Sequence, residues 1–127
     1  VLPSETYLFE VMASGARKAD PGAIHDAREG LKAAIASALA AELAALHARA
    51  AATAYDDPNG RGARRVKTQA LVFIAAADPV KAAAMAAAQY DAADNMTDRQ
   101  GALMVLCSLD HPAREARLAH FLSAYKD

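Results

Sequence analysis

Four histidines, one cysteine and a glycine-flanked basic run are the residues through which this chain could do chemistry, and their spacing argues against most of it. No two of His25, His47, His111 and His120 lie four residues apart, and neither H-E-x-x-H nor C-x-x-C occurs, so the usual zinc spacing is missing. His25 and Glu29 share a helix face, but two ligands make a poor metal site, and an exposed ion-pairing face is the simpler reading. His47 borders the Leu43 and Leu46 stripe and reads as a helix-boundary residue; His111 reads as a cap and His120 as solvent-facing. Cys107, inside "LMVLCSL", has apolar neighbours and no flanking base to generate a thiolate, which predicts a buried structural cysteine. Ser14, Ser37, Ser108 and Ser123 lack a G-x-S-x-G frame.

The run "GRGARRVK" is the most suggestive stretch. Glycines ahead of a helix, with Arg61, Arg64, Arg65 and Lys67, could cradle an anion through backbone N–H groups and positive side chains. Without a preceding strand the pattern is weak, and a turn followed by a solvated basic face is expected. The acidic pairs Glu5/Glu10 and Asp56/Asp57 fall at surface and loop positions with no pocket to raise a pKa. The residues themselves therefore assign no catalytic, cofactor-binding or metal-ligating position.

Composition narrows the classes further. In 127 residues, 14 basic side chains balance 15 acidic ones, which argues against a nucleic-acid footprint. The hydrophobic share is 54%, but alanine supplies much of it, so the core must come from close approach of small-faced helices. The longest apolar run, "TQALVFIAAA", is far short of the roughly 20 residues that cross a bilayer, so no membrane partner is expected. A lone cysteine and the lack of a leader-like start point to a reducing, cytoplasmic setting.

Six helices are expected to position these residues. Ser4 caps the first, which carries Leu8, Val11 and Met12. Asp20-Pro21 opens the second, whose stripe Ile24, Leu31, Ile35, Leu39, Leu43 and Leu46 predicts one long rod into the low fifties, weakest at Gly30. Asp57-Pro58-Asn59-Gly60 turns the chain into a third helix, and its "ALVFIAAA" half is apolar all round and should lie centrally. Asp78-Pro79 starts the fourth. In "AADNMTD", Asn95 reads as a left-handed terminator and Thr97 with Gln100 as a capping box for the fifth, with Asp98 at the positive end of its dipole. His111-Pro112 starts the sixth, whose stripe is Leu118, Phe121, Leu122 and Tyr125, and Leu118, Phe121 or Leu122 should stay partly uncovered unless another copy covers them. The fold class is all-α, one domain over residues 1–127. Antiparallel hairpins, third helix with fourth and fifth with sixth, suit an α-α superhelix and an ordinary helical bundle alike.

The chain resembles the start of the C-terminal helical domain of bacterial aminopeptidase N, a zinc metallopeptidase family. The residues that carry the likeness are "LPSE" at Leu2 to Glu5, "DPGAI" at Asp20 to Ile24, and Arg28-Glu29 followed by Leu31. Arg64-Arg65 and "AADNMTD" with Ala102-Leu103 beyond it complete the set. Gly30 and Gly101 stand where the family more often has alanine.

The resemblance implies an armadillo/HEAT-like superhelix covering about the first half of that domain. It implies a parent enzyme that removes N-terminal residues from peptides, with zinc held by an H-E-x-x-H helix in a catalytic domain of the same polypeptide. This segment would then be wall and docking surface, its partners that catalytic domain and the parent's peptide substrates, with self-association of the segment alone also expected. The competing reading is a free-standing helical scaffold for protein–protein interaction.

Overall fold

A computed structural model describes residues 2–15 and 18–126 and is helical throughout, with seven helices among those residues. They are α1 (Glu5–Ser14), α2 (Pro21–Ala38), α3 (Ala40–Ala51), α4 (Gly60–Ala77), α5 (Pro79–Ala92), α6 (Met96–Cys107) and α7 (Ala113–Tyr125). None is long and apolar enough to cross a membrane.

Three starts are made by the expected chemistry. The Ser4 hydroxyl accepts the Tyr7 N–H at 3.1 Å, and Asp20 Oδ1 accepts from Gly22 and Ala23 ahead of α2. Asp78 Oδ1 accepts from Lys81, with Pro79 in the first turn where its missing N–H is not needed. α1 is clasped to α2 by polar ties: His25 Nδ1 to Glu5 Oε1 at 2.9 Å, and Arg28 Nε donating to the Pro3 carbonyl at 2.9 Å.

The long second rod is two helices. The chain bends by 82° between α2 and α3, pivoting on Leu39, whose backbone leaves the helical region at φ −115°, ψ 29°. A straight rod from Pro21 to Ala51 would run about 46 Å against about 27 Å for α4. The bend lays both halves on α4 instead. Its local penalty is small, because Leu39 N–H still reaches Ile35 O and Leu39 O still accepts from Leu43. The extra break also shifts the pairing: the most extensive helix packing is α3 with α4 and α5 with α6.

α4 is the central element, packed by α2, α3, α5 and α6. Leu71, Ala83, Ala86, Val105 and Leu106 form the main core, and Tyr90, Ala102 and Leu103 a second cluster with Phe121 against it. Alanine makes this seam possible. On α5 the buried residues are Ala82, Ala83, Ala86, Ala87 and Tyr90, so its neighbours approach almost to the backbone. Gly101 extends the same logic: a Cβ there would lie 2.5 Å from Thr68 Oγ1, so α6 meets α4 at a distance only glycine allows. Gly60 is equally constrained, since a Cβ would fall 2.7 Å from Tyr55 O.

The outer faces remain apolar. On α7 Leu118 and Leu122 are exposed, as expected, and so is Tyr125, while α1 buries no residue and shows Tyr7, Phe9, Val11 and Met12. Cys107, expected inside, is exposed. Leu106 and Val105 take the inward positions of α6, and the residue after them is rotated out.

Candidate functional site

A cleft of about 600 Å³ lies where the C-terminal ends of α3 and α5 meet the first half of α4 and the start of α6. Its polar lining includes His47, Tyr55, Arg64, Lys67, Gln89 and Asp98, with Asp94 and Asn95 at the rim before α6. These residues are scattered in sequence, and the packing of four helices brings them together.

At the base sits a buried ion pair, Lys67 Nζ to Asp98 Oδ2 at 2.6 Å, with the two side chains only 10% and 12% exposed. Lys67 was expected on a solvated face together with Arg61, Arg64 and Arg65. Arg61 and Arg65 are indeed exposed, but Lys67 shares the inward stripe of Ala70, Leu71 and Ile74. Asp98 is correspondingly at the inward start of α6, ahead of Ala102 and Val105.

The stretch before Asp98 departs from expectation in its details. Asn95, not Thr97, is the N-cap: its Oδ1 accepts the Asp98 N–H at 2.9 Å, and its backbone is extended (φ −137°, ψ 153°), not left-handed. The helix therefore starts at Met96. Asparagine wins because its amide does more than cap, with Nδ2 donating to Asp98 Oδ2 at 3.1 Å and to Asp94 Oδ1 at 2.8 Å while Oδ1 caps the helix. Thr97 is left on the surface.

A chain of hydrogen bonds ties the pair to the cleft wall. Gln89 Nε2 donates to the Asp98 carbonyl at 3.0 Å, which fixes Gln89 Oε1 as an acceptor. His47, 3.3 Å from that oxygen, must therefore carry its proton on Nε2. His47 is not a boundary residue; it is half-buried inside α3. Burial, reinforced by the nearby Lys67 charge, pushes its pKa below the ordinary 6.5 against the opposing pull of Gln89 and Asp98. The imidazole is neutral at pH 7. Asp98 Oδ1 is buried and receives no hydrogen bond.

Of the other expected site residues, the remaining histidines and Glu29 lie apart from this cleft, and Arg64 is on its wall. His25 pairs with Glu5, and Glu29 with Lys32 at 2.6 Å, which is the ion-pairing face foreseen for that helix. Glu5 holds the His25 pKa above its usual value, and Lys32 lowers that of Glu29. His111 Nδ1 accepts the Ala113 N–H at 3.2 Å from one residue ahead of the N-cap position, which Pro112 occupies without a side-chain bond. His120 is exposed, yet its Nδ1 lies 2.9 Å from the Tyr90 hydroxyl. Arg64 of the basic run stacks over the Tyr55 ring at 4.3 Å and donates to the Tyr55 carbonyl.

Chemically, the cleft holds an ammonium already neutralised by a carboxylate and a neutral imidazole already engaged with an amide. Neither is poised as a nucleophile or general base. Nor does the donor set suit zinc, since among the described residues no three of His, Cys, Asp or Glu converge. What the arrangement does is mechanical. Asp98 locks α4 through Lys67, α5 through Gln89 and its own helix through Asn95, and Gln89 extends the lock to α3 through His47.

One protein-family profile, described as "Domain of unknown function (DUF3458_C) ARM repeats", matches residues 1–127. The bent α2–α3 pair, the central α4 and the stacked α5–α6 hairpin are consistent with an ARM-repeat superhelix. The chain belongs to that ARM-repeat family.

Proposed function

We propose that this chain is a wall and docking segment of a zinc-dependent aminopeptidase, the reacting groups being supplied by a catalytic domain of the same polypeptide. Zinc in that domain would activate the water that cleaves the N-terminal peptide bond. The present residues would bound the chamber in which peptides are held.

The observation that carries this reading is the run Asn95 to Asp98. It lies at the centre of the resemblance to the aminopeptidase N C-terminal domain, and its Asn95 and Asp98 lock four helices. The bare apolar faces support the same reading: Tyr7, Phe9, Val11 and Met12 on α1 offer a surface suited to another domain.

The test uses the full polypeptide that carries this chain and, beside it, the chain alone. The full polypeptide is expected to contain H-E-x-x-H upstream and to release nitroaniline from aminoacyl-nitroanilides in a chelator-sensitive way. The isolated chain should be strongly helical by circular dichroism and inert in the same assay. A parent lacking the zinc motif would leave the free-standing scaffold as the better reading, and turnover by the isolated chain would overturn the proposal outright.

A further inference from the structure

Among the described residues, α1 and α2 form an arm whose polar contacts all stay within it. Glu5 pairs with His25 and Arg28, Arg28 also reaches the Pro3 carbonyl, and Glu29 holds Arg28 and Lys32. No hydrogen bond or ion pair joins residues 2–38 to residues 40–126 among those described. The arm meets α4 through a small seam, since α2 buries only Ile24 and Ala36 and α1 buries no residue. Beside that seam a cleft of about 300 Å³ opens between Glu29 and Lys32 on the arm and Val72, Ala76, Met104 and Leu109 on the body.

The elbow at Leu39 joins this arm to the body, and nothing local enforces its bend. No glycine or proline lies between Leu31 and Asp57, and α3 starts without a side-chain cap. An unbroken helix would bond the Ala40, Ala41 and Glu42 N–H groups to the carbonyls of Ala36, Ser37 and Ala38. None of the three bonds is made across the elbow, where exposed Ala40, Ala41 and Glu42 are left to water. Straightening would form all three within a run of strong helix formers. It would also lift the arm off α4, which a lone copy resists because Ile24 and Ala36 would meet water. A second copy removes that obstacle, since its own lifted arm covers the vacated α4 with the same contacts.

From this geometry we propose that two copies of the chain exchange their α1–α2 arms, with α2 and α3 of each running on as one rod. The partner is a second copy, and the exchanged dimer differs from two monomers chiefly at the elbows. Each chain gains three backbone bonds there, set against the freedom lost on association. The proposal stands apart from the aminopeptidase reading and does not depend on it.

The experiment follows oligomeric state and rod shape together on the 127-residue chain. Spin labels are placed at Asp26→Cys and Arg49→Cys, exposed positions on α2 and α3, with Cys107→Ser removing the native thiol. With the 82° bend the two backbone sites lie about 26 Å apart, and in a straight rod about 35 Å. Labelled chain is mixed with excess unlabelled chain in mild urea and returned to buffer at about 1 mM, enough to populate dimers of millimolar affinity. Light scattering should show a dimer, which carries the longer distance while the monomer keeps the shorter. Leu39→Gly disfavours the helical elbow about fourfold per chain and should weaken dimerisation about fifteenfold. Leu122→Gln, on the exposed face of α7, should leave dimerisation unchanged. A chain that stays monomeric, a dimer that keeps the shorter distance, dimerisation unmoved by Leu39→Gly, or dimerisation lost in Leu122→Gln would overturn the proposal.

Discussion

Replacing Lys67 by methionine is the most direct test of the lock at the base of the large cleft. Methionine keeps most of the apolar stem and removes only the ammonium. Asp98 would then be left about nine-tenths buried with Asn95 Nδ2 as its one remaining side-chain donor and Oδ1 still bare. Removing one member of a buried pair costs about 3–5 kcal/mol. The surviving Asn95 bond and the positive end of α6 place this case near the lower end, about 3 kcal/mol. At about 4 °C per kcal/mol for a chain of this size, the midpoint should fall by about 12 °C. Asp98→Asn should cost a similar amount, since it strands the Lys67 ammonium instead. The double variant should recover at least about 1.5 kcal/mol of the summed loss, because the two groups act on each other. Urea unfolding followed by circular dichroism measures all three, with Arg65→Gln as a surface control expected within about 0.5 kcal/mol of wild type. If Lys67→Met matched that control, or if the two single losses simply added, the buried pair could not be the lock described here.

Three further outcomes follow from other features. Gly101→Ala should destabilise by about 1–3 kcal/mol through overpacking, despite alanine's better helix propensity, because the new Cβ meets Thr68 Oγ1. Adding Thr68→Ala should recover most of that loss in the same urea assay. Asn95→Ala should cost about 1–2 kcal/mol while Thr97→Ala stays within about 0.5 kcal/mol, a contrast that separates the observed cap from the one the sequence suggests. His25 and His47 should titrate on opposite sides of 6.5 when their ring protons are followed by NMR. For His25 the folded pKa is raised by Glu5, so its stabilising contribution is complete below 6.5 and fades as pH rises through the folded value. For His47 the folded pKa is lowered by burial, so its contribution is complete above 6.5 and fades as pH falls through the folded value. His47→Gln should flatten the acid side of the stability profile only, and His25→Gln the alkaline side only.

The elements that local chemistry marks are those that were legible. Asp20-Pro21 and Asp78-Pro79 announce helix starts because an acceptor side chain and a preset φ act within three residues, and both open helices as read. The apolar girth of "ALVFIAAA" likewise foretold a central α4. The bend at Leu39 was not legible, because nothing in "AIASALAAELAA" disfavours a helix. It is imposed from outside, by the length of α4 and the gain from laying two short helices on it. Asn95 and Thr97 were confused because both are good caps by type. Only the second use of the Asn95 amide, on a carboxylate whose burial depends on α4, decides between them.

The large cleft was missed for a related reason, although its signal was present. Lys67 stands three, four and seven residues before Ala70, Leu71 and Ile74, and Asp98 stands four and seven before Ala102 and Val105. A charge at an inward stripe position is expensive unless another charge meets it. Two stripes in one small domain, each starting with a charge of opposite sign, therefore predict a buried pair and with it the contact between their helices. Reading Lys67 as one more member of "GRGARRVK" grouped it by neighbours in sequence, whereas helical phase separates it from the exposed Arg61 and Arg65. His47 and Gln89 follow once that contact is known, since their helices flank it. They carry no local mark of their own, which is why no search by motif finds them.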